Sequence, residues 1–294
     1  MADKGEFMPQ KINSLYDIAD RIDSFFIDVY GTLFDGKVYY PEALAVCGRL
    51  VSAGKKVFIL SNATTISPYF KEKHATKGLV PGVHYTDAIT SGDSFKYLLE
   101  TQDFISQVSG SATAPYLLIG RENNRLLESV LDRQTRDPDK VACAYVGALQ
   151  GEKGERFETL DSFLPMARIA LEKKIPLICS NPDYFAFEGD KKYVTPGCLA
   201  RWYEENGGRV VWIGKPFPFI YQYALERTAS TPQTSAMVGD TIRTDILGGK
   251  NAGMKTVLIT GTGVSADAFK NGESLESLAK KEGASPDFLI DRLQ

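Results

Sequence analysis

The stretch FFIDVYGTLFDG, residues 25–36, joins a short apolar run to a carboxylate and a glycine turn. Residues 25–27 are all apolar, Asp28 follows them at once, and Gly31 comes three residues later. A short apolar run bounded by turn residues is typical of a buried strand. The pattern therefore predicts a strand that carries Asp28 to the edge of a sheet.

Three further apolar runs end in polar or glycine-containing segments. They are residues 57–60 before Ser61-Asn62, 210–213 before Gly214-Lys215, and 236–238 before Gly239-Asp240. Between runs of this kind, the apolar residues over 41–53 and 160–174 recur at helical spacing, which predicts helices there. Strands that alternate with helices indicate a parallel sheet, and ligands bind such sheets at the carboxyl edge. We predict an α/β protein with its site at that edge.

A second set of apolar runs lies between the first two and the last two of these strands. Residues 115–119, 141–146 and 176–178 form this inner set. We predict that it belongs to a separate α/β domain inserted into the first one. The predicted bounds are residues 1–95 and 198–294 for the first domain and residues 96–197 for the inserted domain.

The composition argues against several classes of partner. The 294 residues are 43% hydrophobic and carry a formal net charge of −3, which is ordinary for a globular protein with room for two domains. No basic excess favours nucleic acid or an anionic membrane surface. No apolar run approaches the ~20 residues of a membrane helix. We therefore expect a cytoplasmic protein that binds neither nucleic acid nor membrane.

Three acidic residues follow two of the predicted strands: Asp28, Asp240 and Asp245. Carboxylates that converge repel one another, and a divalent cation removes this conflict. Oxygen ligands in small number suit Mg²⁺, which keeps several of its waters. The sequence therefore predicts a Mg²⁺ site made by these acids.

Two other strand ends carry groups that suit an anion. A hydroxyl and main-chain N–H groups at Ser61-Asn62, between a strand and a helix, can hold a phosphate. Lys215 follows another strand and can neutralise charge that develops on such a group. We predict a phosphate-binding site that uses Ser61, Asn62 and Lys215.

Four motifs in this order give the chain its resemblance to a known family. DVYGTL, LSN, GKP and VGDTIRTDILGGKNAG resemble the motifs of the haloacid dehalogenase (HAD) superfamily. NPD at 181–183, TPG at 195–197 and GKPFP resemble the class IIA phosphatases of that superfamily, which include sugar, nitrophenyl and pyridoxal phosphatases. The lead-in to residue 28 is similar to a bacterial subgroup of predicted sugar phosphatases. The resemblance covers nearly the whole chain.

The resemblance implies a Rossmann-like core with an inserted α/β cap of the C2 type. It implies that Asp28 is the nucleophile and forms an aspartyl-phosphate. Mg²⁺ would be held by Asp28, by the main-chain carbonyl of Tyr30 and by Asp240, while Asp245 would act through water or orient the others. Lys215 would pair with Asp28 and the phosphoryl group.

The resemblance also implies a substrate and the residues that select it. Ser61 would bind the transferring phosphoryl oxygens, with Asn62 beside it. The cap loop at 181–187 would supply specificity through Asp183, Tyr184 and Phe185, whose aromatic rings suit a flat ring or the apolar face of a sugar. The expected substrate is a small phosphorylated metabolite. Similar enzymes form dimers through their caps, so we expect a homodimer.

Tyr30 departs from the family pattern. The family's phosphatases have a second aspartate at this position, which protonates the leaving alkoxide and later activates water. A tyrosine, with a pKa near ~10, can donate a proton but is a poor base at neutral pH. General acid–base help is typically worth about 10²–10⁴-fold in rate. We therefore expect slow turnover of alkyl phosphates and better turnover of esters with good leaving groups.

Three hypotheses follow from this departure. The first is a phosphatase of restricted power or with a relocated acid. The second is a dehalogenase-like C–X hydrolase, because haloacid dehalogenases carry Asp-x-Tyr-Gly-Thr here; those enzymes use no metal and lack the acidic pair of Asp240 and Asp245. The third is a catalytically silent phosphate-binding module. The retained acids and Lys215 favour the first.

Three other features are interpreted as structural. Asp35, within Phe-Asp-Gly, is expected to form a turn rather than to act as the relocated acid. His74 lies among lysines and is expected to be an exposed helix residue. Residues 261–263, Gly-Thr-Gly, are expected to be a plain turn after a strand, because they lack a full nucleotide-binding fingerprint.

Overall fold

The computed structural model describes residues 9–101, 104–110, 114–121, 126–127, 132–135, 137–151, 153–188 and 191–294. The strands are β1 Gln10–Lys11, β2 Ser24–Ile27, β3 Lys56–Ser61, β4 Asp87–Thr90, β5 Tyr116–Ile119, β6 Gln134–Thr135, β7 Cys143–Val146, β8 Leu177–Cys179, β9 Phe185–Glu188, β10 Lys191–Val194, β11 Val210–Trp212, β12 Ser235–Gly239, β13 Lys255–Ile259 and β14 Phe288–Ile290. The helices are α1 Pro41–Ser52, α2 Ser67–Ala75, α3 Ser91–Thr101, α4 Phe104–Ser109, α5 Leu164–Glu172, α6 Pro196–Glu205, α7 Pro218–Arg227, α8 Leu247–Asn251, α9 Gly263–Lys270 and α10 Leu275–Glu282. There are also 3₁₀ turns at Leu15–Ile18 and Pro232–Thr234 and a π-helix at Ile242–Ile246.

The chain divides into two compact units. The first comprises the described part of Met1–Leu60 together with His74–Ala88 and Tyr221–Gln294. The second comprises Ser61–Lys73 and the described part of Ile89–Ile220. The predicted core and cap bounds of 1–95, 96–197 and 198–294 stay a prediction.

A seven-stranded sheet has the order β1-β14-β13-β12-β2-β3-β4. The neighbours β13-β12, β12-β2 and β2-β3 run parallel. Every residue of β2 and β12 is buried. Continuous burial is typical of parallel strands that are covered on both faces, and it explains the apolar runs at 25–27 and 236–238.

Helix α1 has one buried apolar face. It begins with Pro41 in the first turn, where the missing N–H costs nothing. Ala43, Val46, Cys47 and Leu50 recur at helical spacing and are all buried. The predicted helix over 41–53 is confirmed to within one residue at its end.

A second sheet, of five strands, has the order β11-β8-β7-β5-β6. All neighbouring strands of this sheet run parallel, with Ala144 of β7 opposite Leu177 of β8. Leu117, Ala144 and Leu177 contribute to one buried cluster together with side chains of α5 and α6. The predicted strands at 115–119, 141–146 and 176–178 all lie in this sheet. The α/β class with parallel sheets is confirmed.

The prediction for the strand at 210–213 was wrong in its placement. We expected it in the first sheet, but β11 pairs in parallel with β8, with Val210 opposite Leu177. An apolar run can pair with either sheet, because burial alone sets its pattern and its partner is chosen by tertiary contacts. The polar segment after β11 therefore follows the second sheet.

A β-hairpin was missed in the sequence. Strands β9 and β10 pair antiparallel, with Phe185 opposite Val194. The predicted loop over 181–187 therefore ends at Tyr184, and Phe185 is the first residue of a strand. Its ring is partly exposed, and the Nζ of Lys192 lies 3.5 Å from the ring centroid.

Within the part of the chain that the structure describes, no helix is long and apolar enough to cross a membrane.

Candidate active site

Two parallel strands deliver the first pair of acidic residues. Asp28 follows β2, and Asp240 follows β12, which pairs with β2. The main-chain N–H of Asp28 donates to the carbonyl of Val238 at 2.9 Å, which continues the ladder one residue beyond the strands. Parallel strands that end together place their following side chains at one edge of the sheet.

Asp245 reaches the same edge from the π-helix after β12. Its main-chain N–H donates to the carbonyl of Thr241 at 3.0 Å, and its carboxylate accepts from the N–H of Thr241 at 3.2 Å. A Cβ atom on Gly239 would overlap the carboxyl group of Asp245. The glycine of the GD pair is therefore required for the close approach of this acid.

The three carboxylates form one cluster. One ligand oxygen from each of Asp28, Asp240 and Asp245 lies within 4.8 Å of the others. Asp240 and Asp245 are 2% and 1% exposed, so water screens their charges poorly. Three carboxylates at this separation can share one divalent cation, and an all-oxygen donor set fits Mg²⁺ by the chemistry of its ligands.

The loop after β13 and the first turn of α9 support Asp240. The main-chain N–H of Val264 donates to its Oδ2 at 2.6 Å, and the hydroxyl of Ser265 donates to its carbonyl at 2.6 Å. The hydroxyl of Thr262 donates to the carbonyl of Gly31 at 2.6 Å. These bonds leave Asp240 in a fixed orientation and connect it to the turn that follows Asp28.

Sequence reasoning missed the role of this loop. Residues 261–263 were interpreted as a plain turn, but Gly263, at φ +68°, lies so close to Asp240 that a Cβ atom would overlap its carboxylate. The two glycines beside Thr262 were a signal for close backbone approach. What they approach could not be inferred, because Asp240 is more than 20 residues away in sequence.

Tyr30 lies in an aromatic cluster of the first unit. Its ring meets Phe34 edge to face at a centroid distance of 5.4 Å and His74 at 6.4 Å. Burial, and then the nearby Tyr30 and Tyr85, raise the pKa of Tyr39 above its ordinary value. The phenol of Tyr39 is therefore neutral at physiological pH.

The prediction that His74 is exposed was wrong. The side chain is 2% exposed, and its Nδ1 makes a short hydrogen bond with the hydroxyl of Tyr39. The surrounding lysines suggested a solvated helix face, but the histidine points to the aromatic side of that helix. Asp35, in contrast, forms a turn as predicted: its Oδ1 accepts from the N–H groups of Lys37 and Val38, each at 2.7 Å.

The second unit holds the polar residues of the other motifs. Ser61, Asn62 and Lys215 are 3%, 3% and 2% exposed. The main chain of Lys215 and the carboxamide of Asn62 are joined by two hydrogen bonds, although the residues are 153 apart in sequence. The hydroxyl of Ser61 accepts from the N–H of Ala63 at 3.2 Å, as at the start of a turn.

The residues expected to select substrate lie in the same unit. Asp183 accepts a hydrogen bond from Asn62 at 2.9 Å, so one residue of the predicted loop joins the strand-end residues directly. Tyr184 and Phe185 follow it, the first in a bend and the second in β9. The structure thus brings Asp28, Asp240 and Asp245 together in the first unit, and Asn62, Asp183 and Lys215 together in the second.

Comparison with known proteins gives two family models that match this chain. A haloacid dehalogenase-like hydrolase model matches residues 25–127, and a HAD-hydrolase-like model matches residues 212–294. Human glycerol-3-phosphate phosphatase is 37% identical over 303 residues, covering 92% of this chain and 89% of that protein.

Solved structures share the fold. A haloacid dehalogenase-like hydrolase from Brucella suis 1330 has a TM-score of 0.80 at 25% identity, covering 96% of this chain and 100% of that chain. A possible sugar phosphatase of the HAD superfamily from Cytophaga hutchinsonii has a TM-score of 0.74 at 20% identity, covering 96% and 98% of the two chains.

The glycine after Tyr30 provides a test of the acidic cluster's packing. Gly31 has φ +83°, and a Cβ atom there would overlap the Asp240 carboxylate; Gly54 has φ +79° with nothing within 4 Å. Gly54→Ala should cost only the left-handed backbone penalty of about 1–2 kcal/mol. Gly31→Ala should cost at least about 1 kcal/mol more, because Asp240 must move. Urea unfolding measures both, and equal losses would contradict the close packing.

Proposed function

The chain belongs to the haloacid dehalogenase-like hydrolases, and we propose that it is a Mg²⁺-dependent phosphatase that hydrolyses a small phosphomonoester. The observation that carries the proposal is the convergence of Asp28, Asp240 and Asp245. A dehalogenase that works without metal has no use for two buried acids beside its nucleophile. The cluster therefore supports phosphate chemistry over carbon–halogen cleavage.

The proposed reaction has two steps, both at phosphorus. A carboxylate oxygen of Asp28 attacks the phosphorus atom, an O–P bond forms, and the ester O–P bond breaks with the leaving oxygen taking the electron pair. Water then attacks the aspartyl-phosphate, which releases inorganic phosphate and restores the Asp28 carboxylate. The alkoxide that leaves in the first step needs a proton, which the Tyr30 hydroxyl is chemically able to donate.

The metal would be held by the Asp28 carboxylate, the main-chain carbonyl of Tyr30 and Asp240, with Asp245 acting through water or orienting the others. When bound, Mg²⁺ supplies positive charge that offsets the charge of the phosphoryl oxygens. The hydrogen bonds from Val264 and Thr241 to Asp240 support this role, because they orient its carboxylate before any ligand arrives.

Ser61 and Lys215 are the proposed phosphate-binding residues. A buried lysine ammonium is a strong partner for a phosphoryl oxygen, and Lys215 is almost completely buried. Asn62 adds its main-chain N–H to this group. Asp183, Tyr184 and Phe185 are the proposed residues for contact with the rest of the substrate.

The domain organisation and partners complete the proposal. We propose a core with an inserted C2-type cap, and we extend the cap beyond residue 197 to include β11, since that strand pairs with β8. The human relative is named for glycerol 3-phosphate, which supports a small phosphorylated metabolite as substrate. A homodimer and a cytoplasmic location stay predictions.

The first test is release of phosphate from 4-nitrophenyl phosphate. Its leaving group needs little protonation, so the absence of the usual aspartate should matter least here. We expect turnover that requires added Mg²⁺ and disappears on treatment with a chelator. Asp28→Asn should lower kcat by at least about 10⁴-fold, because the amide cannot attack phosphorus.

The control for that test is Asp267→Asn, which removes an exposed acid of α9 that pairs with Lys270. It should leave kcat within about 2-fold of the wild type, as expected for an exposed ion pair. Activity retained in Asp28→Asn would remove this residue as the nucleophile. Chloride release from a 2-chloro acid without Mg²⁺ would favour the dehalogenase instead.

The second test restores the family's missing aspartate. Tyr30→Asp should raise kcat/KM for glycerol 3-phosphate by about 10–100-fold, because general acid–base help matters most for a poor leaving group. The gain for 4-nitrophenyl phosphate should be smaller. Tyr30→Asn has the same size without the acid and should show no gain. If Tyr30→Asp folds and binds Mg²⁺ but gains nothing, lack of this acid does not limit the enzyme.

A further inference from the structure

Asn62 lies where three segments of the second unit meet. It follows the last residue of β3, and its carboxamide contacts the segment after β11 and the segment after β8. Its side chain is 3% exposed. A buried carboxamide must satisfy its donors and acceptor within the protein.

The hydrogen bonds of Asn62 account for both carboxamide atoms. Oδ1 accepts from the main-chain N–H of Lys215 at 2.6 Å. Nδ2 donates to the carbonyl of Lys215 at 3.1 Å and to Oδ1 of Asp183 at 2.9 Å. Both Nδ2 hydrogens are thus used. The donor on one side and the two acceptors on the other also fix which way the amide points.

The main chain approaches Asn62 closely because residue 214 is glycine. Gly214 has φ +98°, and a Cβ atom there would lie 2.8 Å from Cδ of Pro182 and 2.9 Å from both Oδ1 of Asn62 and the carbonyl oxygen of Ser180. These distances are shorter than real Cβ contacts. The carboxamide therefore accepts from the N–H of Lys215 and donates to its carbonyl, as the main chain of a neighbouring strand does.

Asp183 is itself held at three points. Its N–H donates to Oδ1 of Asn181 at 3.0 Å, its carbonyl accepts from the hydroxyl of Thr195, and its carboxylate accepts from Asn62. The loop is thus fixed within itself and to the start of α6. Asn62 is its connection to the lysine.

We propose that the side chain of Asn62 is a positioning residue that holds Lys215 in place and links it to Asp183, rather than a group that contacts substrate. The proposal rests on the proposed function only in giving Lys215 a phosphate to bind. It depends on the observation that the Asn62 carboxamide already makes hydrogen bonds to protein atoms before any ligand arrives. The Asn62 side chain thereby couples Asp183 to the main chain of Lys215.

The first experiment needs no substrate. Hydrogen–deuterium exchange is followed by mass spectrometry on a peptide spanning 213–217, with fragmentation that separates the Lys215 amide from those of Gly214 and Phe217; Pro216 has no N–H. In Asn62→Ala the Lys215 amide should exchange about 10-fold faster, since it loses its acceptor. Asn206→Ala, which removes an exposed carboxamide of the same unit, should leave the peptide unchanged.

The second experiment exchanges the two side chains and measures hydrolysis of 4-nitrophenyl phosphate. Asn62→Asp places a carboxylate against the carboxylate of Asp183 and should lower kcat/KM by about 100-fold, because small displacements of a positioned group are costly. Adding Asp183→Asn should recover at least about 10-fold of that loss. The amide then donates from position 183, and the N–H of Lys215 keeps its acceptor, but the Lys215 carbonyl loses the donor that Nδ2 of Asn62 supplies, so the recovery is incomplete.

The outcomes separate this proposal from the proposed function. Unchanged exchange at Lys215 in Asn62→Ala would overturn the positioning role, and so would a lack of recovery in the exchanged pair. If the Asn62 side chain contacted substrate, the carboxylate introduced by Asn62→Asp would repel phosphate and no recovery would be seen. If Asn62→Ala unfolds, exchange in the Asn62→Asp/Asp183→Asn pair decides, and the Lys215 amide should exchange more slowly there than in Asn62→Asp alone. A wild type without phosphatase activity would refute the proposed function while the exchange result still stands or fails by itself.

Discussion

Repulsion among three carboxylates is the constraint on which the first unit depends. Asp28, Asp240 and Asp245 bring ligand oxygens within 4.8 Å of one another, and two of them are almost inaccessible to water. Such an arrangement raises the free energy of the protein unless a cation neutralises it. The main chain around the cluster approaches it closely at three glycines. Gly31, Gly239 and Gly263 lie where any Cβ atom would overlap a carboxyl group of the cluster. The sheet edge is therefore a site whose geometry suits a divalent cation.

Much of this could be predicted because the signals are local. The apolar runs before Asp28 and Asp240 indicate buried parallel strands, and neighbouring parallel strands must end on the same side. Proximity of the acids follows from that geometry alone, and their type indicates the ion. Helix α1 could also be predicted from the sequence, since its buried residues repeat at helical spacing and Gly54 follows its end.

The remaining features depend on contacts between distant segments. Strand β11 has the same apolar pattern as a strand of the first sheet, and only its pairing with β8 assigns it to the second. His74 is surrounded by lysines in sequence, yet its imidazole is buried against Tyr39. Asn62 was expected to bind phosphate, and its link to Lys215 spans 153 residues. Periodicity reports burial but not the identity of the partner, which explains why these three features escaped sequence reasoning.

We propose that the acidic cluster holds a divalent cation beside a nucleophilic Asp28. A crystal structure of the protein grown with Mg²⁺ and beryllium fluoride, a mimic of the phosphoryl group, tests it most directly. We expect beryllium bonded to a carboxylate oxygen of Asp28 and one Mg²⁺ in contact with Asp28 and Asp240. Beryllium fluoride on another residue, or a cluster that holds no metal at millimolar Mg²⁺, would contradict it.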